Sequence, residues 1–564
     1  MRFALLILML NAWSAFAGSQ GSFNELVTGK WQFDYIRTEQ GDDLFIIAKD
    51  DTLNIYEDGR FNYALSAKNN LQAKGRWHLQ NDTLALTYTT PTDTTRYYAV
   101  NASDAGLTLK ESGIVYAFNR KTMSPFNTHV PTVAWQWSSL FKGVIGLTVL
   151  LFLGFLLSKH RRRIDWLLIV KGLSIQIIFA LLILKVAFVR DAFDAVSGAF
   201  VKLLSFTRFG ADFLFGDLID ADSFGYIFAF QVLPTIIFFA ALTSLLFYYG
   251  VLQKIVYVFA WVMRRTLKLS GAESLAAAGN IFLGQTESPL LVKPYLERMT
   301  MSELLCVMTG GMATIAGGVL AAYIGFLGGS DVVGQVFFAK HLIAASVMSA
   351  PAAIVSAKLL YPETEKISSE MTVSSDRIGS NALEAISNGT TDGLRLAINV
   401  GAMLLVFISL IALFNFLFRD GLGGLLGVNE AINTMTNGQY DGLSLQFVLG
   451  YVLAPLTWLM GVAADDVVLV GQLLGEKTVL NEFVAYVSLG EMMSANAFTD
   501  PKSIVIATYI LCGFSNFASI GIQIGGIGAI APSRRSDLSR LGIRALIAGT
   551  FASLFTAVVV GMMI

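Results

Sequence analysis

The chain has 564 residues, 54% hydrophobic and only 14% charged, with a formal net charge of -1 and a mean hydropathy of +0.60. That balance describes a polytopic membrane protein and argues against nucleic acid as a partner. Cys306 and Cys512 are the only cysteines and both lie in apolar segments, which rules out a disulfide framework. Of the four histidines only His341 falls within an expected span, and no HExxH motif occurs, so a histidine-based hydrolase finds little support and the chain is read as no enzyme.

Residues 1–17 carry Arg2, an apolar core from Phe3 to Leu10 and the small-residue site Ala15-Phe16-Ala17, the pattern of a secretory signal peptide. An uncleaved first membrane helix is the alternative, and in either case residues 18–120 are exported. These residues alternate apolar and polar positions in short runs such as Trp31-Gln32-Phe33-Asp34-Tyr35-Ile36 and Thr83-Leu84-Ala85-Leu86-Thr87-Tyr88. Turn signals separate the runs at Asp58-Gly59, Asn81-Asp82 and Pro91 to Asp93. This predicts a small all-β domain, an antiparallel sandwich or barrel of six to eight strands, faintly similar to lipocalin-type domains. Its aromatics Trp31, Phe33, Tyr35, Tyr63 and Trp77 are expected in the core rather than as a ligand cage. A linker over 121–138 comes next, with Pro125, Pro131 and the tryptophans Trp135 and Trp137 that suit an interfacial belt.

The membrane domain occupies 139–564. A first span from Leu140 to Leu157 ends at Lys159-His160-Arg161-Arg162-Arg163, and a second runs from Trp166 to Val186. A basic cluster between two spans belongs in the cytoplasm, which puts the β-rich domain outside, as the signal peptide requires. The acidic stretch 190–225 reads as an external loop with an amphipathic helix near Asp194 to Phe206. Ile227 to Tyr249 spans inward to Arg264, Arg265 and Lys268. The segment 271–297 begins and ends near positive charge, so it is expected to enter and leave on the cytoplasmic side as a re-entrant hairpin. Further spans are expected at Glu303–Phe326, Phe337–Leu359 and Leu394–Phe418, then an interfacial helix over Leu443–Val462. A second hairpin over 465–495 should dip in from the opposite side. The last two spans are Ser503–Ile530 and Ala545–Ile564, leaving the C-terminus outside. The fold class is thus an all-α polytopic membrane protein, with eight transmembrane helices and two opposed re-entrant hairpins in an inverted repeat.

Three polar, interrupted stretches stand out in these apolar surroundings: Gly284-Gln285-Thr286-Glu287-Ser288-Pro289, Asn481-Glu482-Phe483-Val484-Ala485-Tyr486, and Gly513-Phe514-Ser515-Asn516-Phe517-Ala518-Ser519-Ile520-Gly521-Ile522-Gln523. A carboxylate at the centre of a membrane helix costs at least about 2.5 kcal/mol, so Glu287 and Glu482 mark a functional site. The competing reading of Glu482 is a salt bridge to Lys477. For Asn516 and Ser519 it is helix–helix hydrogen bonding, and for Val319 and Phe514 ordinary core packing.

Over 139–564 these three motifs, in this order, resemble those of the concentrative nucleoside transporters. The resemblance implies a trimer with a moving transport domain, and a sodium-coupled symporter that imports nucleosides such as uridine, cytidine and adenosine across the inner membrane. A proton-coupled symporter is the alternative, and a receptor for a ligand of the external domain is the alternative of another class. By resemblance, Gln285, Thr286 and Glu287 would face the base, Glu482, Asn516 and Ser519 would hold the ribose, and Val319 and Phe514 would form apolar walls. The implied sodium site takes the side chains of Asn280 and Thr314 and the backbone carbonyls of Asn280, Leu283, Thr314 and Ile315. The resemblance does not reach residues 1–125.

Overall fold

The computed structural model describes residues 27–120, short connections apart, and 137–219, 227–329, 331–367 and 379–564. The expected signal peptide, nearly all of the linker 121–138, the turns at Asn81-Asp82 and Pro91–Asp93, and the acidic residues Asp220 and Asp222 lie outside the described residues. The chain divides into two compact units, 1–123 and 124–564.

The first unit is an eight-stranded closed barrel. Strands β1 (Gly29–Thr38), β2 (Thr52–Ile55), β3 (Arg60–Leu65), β4 (Leu71–Gln80), β5 (Thr83–Thr90), β6 (Thr94–Ala102), β7 (Gly106–Glu111) and β8 (Ile114–Arg120) each pair antiparallel with the next. Pairing of β8 with β1 closes the ring, which removes every sheet edge. Along β5, Leu84, Leu86 and Tyr88 are buried while the threonines between and beside them face out. The interior is filled rather than hollow. Trp31 is wholly buried, with Nε1 donating to Val27 O at 2.9 Å, beside Phe33, Leu53, Phe61 and Phe118. Of the five aromatics expected in the core, Trp31 and Phe33 are buried. Tyr63 and Trp77 are half-buried against the core. Tyr35 follows a register shift between Phe33 and Tyr35 that changes the phase of alternation, and its ring lies under Arg37 instead. Near Arg96 and Glu111, Tyr88 OH and Tyr98 OH are 3.1 Å apart, and burial pushes both phenols up, Tyr98 to about 12. They stay neutral and serve as hydrogen-bonding core side chains.

The second unit is helical. Helices α1 (Trp137–Leu157), α2 (Trp166–Lys185) and α3 (Ala187–Phe215) lead to α4 (Leu233–Tyr248) and α5 (Val251–Leu267). Then come α6 (Gly271–Gly279), the single turn α7 (Ser288–Leu291), α8 (Met301–Ala313), α9 (Gly317–Gly328) and α10 (Val332–Leu360). After α11 (Ala382–Phe416) the chain forms α12 (Leu445–Leu459), α13 (Val467–Val479), α14 (Glu482–Ser494), α15 (Pro501–Leu511), α16 (Phe517–Ile530) and α17 (Arg535–Gly561). The order of two continuous helices followed by two interrupted pairs occurs twice, as α4 to α9 and as α11 to α16.

Seven helices among the described residues are long and apolar enough to cross a membrane. The eighth span expected, Ser503–Ile530, is not among them because it breaks at 512–516 into α15 and α16. Glu303–Phe326 likewise breaks at 314–316 into α8 and α9, the two arms counting together as one of the seven. The acidic stretch after α2 is more regular than expected, since α3 runs for 29 residues. Helix α11 begins twelve residues before Leu394, and short helical turns over 417–435 occupy part of the expected loop.

Burial separates the helices into two kinds. In the apolar windows of 301–328, 332–360 and 532–561, 83%, 89% and 78% of residues are buried, against 17% in the window of 382–426. Helix α11 packs chiefly on α4. Gly389 and Gly393, spaced GxxxG, make this possible. A Cβ at 389 would stand 2.8 Å from Ala240 O, and one at 393 would stand 2.8 Å from Ile237 Cα. At the other side, the buried Lys358 of α10 pairs with Glu273 of α6 and donates to Ser302 Oγ of α8 at 2.9 Å, fastening three helices at one end.

Gly393→Val should force the α4–α11 backbones apart. We expect a loss of about 1–3 kcal/mol, read as a lowered thermal midpoint of the purified protein, whereas Gly401→Ala, which meets only one methyl group at 3.4 Å, should change it little.

Candidate functional site

Four interruptions of helical backbone converge. The first lies between α6 and α7. A capping box of Ser270 and Glu273 starts α6, and the helix ends at Asn280. Residues 280–287 are turns, with Gly284 inside them and Pro289 opening α7. The second is the extended stretch Thr314 to Ala316 between α8 and α9. These two are tied together where Gly317 N donates to Phe282 O at 3.3 Å. Asn280 is 1% exposed, and neither its Oδ1 nor its Nδ2 has a partner. Gly310 of α8 admits that side chain, since a Cβ there would be 2.6 Å from Asn280 Nδ2. Thr314 Oγ1 donates to Gly310 O at 2.9 Å, which leaves its lone pairs to spare. Among the described residues no hydrogen bond reaches the carbonyls of Asn280, Leu283, Thr314 or Ile315. Among the described residues, the four residues expected to hold a cation therefore present neutral oxygens whose lone pairs nothing else engages, a donor set suited to a hard monovalent ion.

The third interruption, Leu480-Asn481, separates α13 from α14, and the fourth, Cys512 to Asn516, separates α15 from α16. Asn481 caps α14, its Oδ1 accepting from Val484 N at 2.9 Å, which sets Glu482 at the first helical position. Asn516 caps α16, accepting from Ser519 N at 2.8 Å, and its Nδ2 donates to Glu482 Oε2 at 2.6 Å. The other carboxylate oxygen of Glu482 accepts from Tyr323 OH of α9 at 3.1 Å. Ser519 Oγ in turn accepts from Gln285 Nε2 at 3.2 Å, and Gln523 Nε2 donates to Gln285 Oε1 at 3.2 Å and to Met308 O at 2.9 Å. One polar chain thus runs from α8 through α16 and the turns between α6 and α7 to α14 and α9. Val319 and Phe514, 2% and 8% exposed, lie on α9 and in the α15–α16 break.

Gln285, Glu482, Asn516 and Ser519 are brought into this chain as expected from the sequence, whereas Thr286 and Glu287 are not. Both are exposed; Glu287 accepts from Gly284 N at 3.1 Å, and Thr286 sits against Gly526 of α16. They border the chain on its open side. The alternative partner of Glu482 is excluded, because Lys477 Nζ donates to Ile510 O and Ser553 Oγ instead. Sequence reasoning assigned no role to Tyr323 and Gln523. Each stands four residues after an expected site residue, Val319 and Ser519, on the same helix face, and that spacing was the available signal.

Broken half-helices with free carbonyls beside a buried carboxylate are the architecture of secondary transporters. The comparisons with known proteins narrow this. Residues 145–218 and 341–561 match the family models described as Na+ dependent nucleoside transporter N-terminus and C-terminus, and 229–330 match one described as Gate, nucleoside recognition. An uncharacterized transporter of Haemophilus influenzae is 41% identical over 432 residues, 76% of this chain and 98% of that protein. The sodium/nucleoside cotransporter 1 of Rattus norvegicus is 40% identical over 438 residues, 75% of this chain but 63% of the longer rat protein. Among solved structures, CNTnw in an inward-facing substrate-bound state superposes with a TM-score of 0.68 at 37% identity, covering 75% of this chain and 98% of that one. A double variant of CNTnw in an outward-facing state gives 0.68 at 36% identity, covering 76% and 98%. The chain belongs to the concentrative nucleoside transporter family, membrane transporters and not enzymes, whose coupling ion is Na+.

Asn516→Ala removes both a helix cap and a donor to a buried carboxylate. We expect a loss of about 3 kcal/mol in stability, measured by thermal or denaturant unfolding in detergent. Asn516→Asp keeps the cap but sets a second carboxylate beside Glu482. It should be destabilised at neutral pH and partly recover as the pH falls, because protonating one member of the pair relieves their repulsion.

Proposed function

We propose that this chain is a sodium-coupled symporter that imports nucleosides by alternating access. The observation that carries the reading is the convergence of four helix interruptions on Glu482 and on a neighbouring set of unengaged oxygens. Asn280 and Thr314, with the carbonyls of Asn280, Leu283, Thr314 and Ile315, bind Na+. A nucleoside supplies ribose hydroxyls that donate to Glu482 and bond to Asn516 and Ser519. Two of the roughly four lone-pair sites of that carboxylate are left after Tyr323 and Asn516 have donated. Gln285, Thr286 and Glu287 face the base, and Val319 and Phe514 line its flat faces. CNTnw has been solved in inward- and outward-facing states, which supports alternating access here.

Eight crossings and two oppositely entering hairpins remain the arrangement that the charges favour. Arg161 to Arg163, Arg264, Arg265, Arg534, Arg535 and Arg540 lie on the cytoplasmic side of an inner membrane, with the barrel and the C-terminus on the outer side. The working unit is a homotrimer. Residues 1–17 are the signal peptide, 18–120 the exported barrel, 121–138 the linker and 139–564 the transporter. One Na+ moving down a tenfold gradient and about 100 mV supplies about 3.7 kcal/mol, enough for accumulation of several hundredfold.

Uptake of labelled uridine, cytidine and adenosine into vesicles should collapse when choline replaces sodium at constant pH. Undiminished uptake would point to proton coupling, and no accumulation of any nucleoside would point to a receptor. Glu482→Gln puts an amide donor where the hydroxyls need an acceptor. It should lower uptake by on the order of a hundredfold while the sodium-dependent rise in thermal midpoint persists. Deleting 20–120 while keeping the signal peptide should leave uptake intact, since every assigned site residue lies at or after Asn280; a variant that inserts and binds sodium yet transports nothing would make the barrel part of the transport path.

A further inference from the structure

Among the described residues, the second run of equivalent elements buries a cation, Lys477, and the first run buries none. In the first, the C-terminal end of α8 leaves the carbonyls of Thr314 and Ile315 unengaged beside the buried, neutral side chain of Asn280. In the second, α13 carries Lys477 three residues before the tip at Leu480-Asn481, and Lys477 is wholly buried. Its Nζ donates to Ile510 O, in the last turn of α15, at 2.9 Å. It also donates to Ser553 Oγ of α17 at 3.0 Å, and that hydroxyl donates to Cys512 O at 2.8 Å. No carboxylate lies within ion-pairing distance of Lys477 among the described residues.

An ammonium buried without an ion partner is strongly unfavourable unless something else supplies negative potential. The C-terminal end of a half-helix does so, because its last carbonyls lack intrahelical donors and carry the negative pole of the helix. Cys512 O, reached through Ser553, ends α15 as Thr314 O ends α8, and Ile510 O lies two residues before it in the same helix end.

We propose that Lys477 is a built-in cation. Its ammonium does permanently for the α15–α16 break what Na+ does reversibly for the α8–α9 break, drawing the second hairpin onto a half-helix end. Of the two hairpins, only the first then answers to sodium. Lys477 is a positioning residue: by joining α13 to the end of α15 it sets the spacing between Glu482, five residues on, and Asn516. The inference rests on the sodium-symport reading above.

The test is Lys477→Ala in vesicles, supplied with ethylammonium to refill the vacated site. The variant should keep the sodium-dependent rise in thermal midpoint, because the first hairpin is untouched, and should lose uptake by about tenfold or more. Ethylammonium should return part of the uptake, and tetramethylammonium, which has no N–H to donate, none. A folded Lys477→Ala protein that transports at the wild-type rate, or that ethylammonium does not help, overturns the proposal. Should Lys477→Ala not fold, Ser553→Ala keeps the lysine and removes one of its two acceptors. The KM for nucleoside should then rise severalfold with the sodium response unchanged, and an unchanged KM overturns the proposal. Wild-type uptake that ignores sodium would instead overturn the symport reading itself.

Discussion

At Gly513 the backbone of one helix break rests on the backbone of the other. Its φ is +114°, and a Cβ there would lie 2.7 Å from Met312 O and 2.8 Å from Ala313 C. Irregular backbone at membrane depth survives only where protein covers it or a wet cavity lines it. Here each break covers the other. That constraint explains why α8, α9 and α15 are so largely buried and why small residues crowd the breaks: Gly310, Gly311, Gly513 and Gly549 all lie where a side chain would collide. It also explains why the polar chain from Met308 to Tyr323 is continuous, since every group released from helix geometry must find a partner or be kept for a ligand.

Three of the buried charges in this unit, Lys358, Glu482 and Lys477, are handled in three ways. Lys358 has carboxylates on both sides, Glu273 and Glu363, and serves as a structural fastening. Glu482 has no cation but two neutral donors, which leaves acceptor capacity for a third party. Lys477 has no anion but a carbonyl at a helix end and a hydroxyl. Only the first is closed in both charge and hydrogen bonds. The other two are poised by dipoles, and dipoles can be shared with something that arrives.

The sequence showed the architecture in those segments where one kind of signal dominates. Apolar runs longer than about 18 residues with basic ends located the long helices, and period-two alternation in 18–120 located the barrel strands. Hydropathy could not find the break at 314–316, because Thr314-Ile315-Ala316 is apolar enough to pass as helix interior. The polar run after Gly513 marked the other interruption, but its apolar flanks let Ser503–Ile530 read as a single span. Tyr323 escaped for a related reason: among Val, Leu, Ala and Ile on α9 it reads as an aromatic packing residue, and its hydroxyl gains meaning only once Glu482 is placed opposite from 159 residues away. Thr286 and Glu287 turn toward the open side because Glu287 closes its own turn, its carboxylate accepting from Gly284 N at 3.1 Å.

The interrupted helices have a consequence for how the protein is made. A crossing needs about 20 residues, whereas α8, α9, α15 and α16 are 13, 12, 11 and 14 residues long. None of these arms is long enough to partition into a bilayer on its own hydropathy, and their free carbonyls would face lipid if it did. Helices α1, α2, α4 and α11 are long, apolar and little buried, so each is stable in lipid as soon as it leaves the ribosome. We expect ordered biogenesis, in which the self-sufficient helices insert first and the broken ones follow once α10 and α17 supply walls against which unpaired backbone can be hidden, leaving the polar pathway as the last part to form.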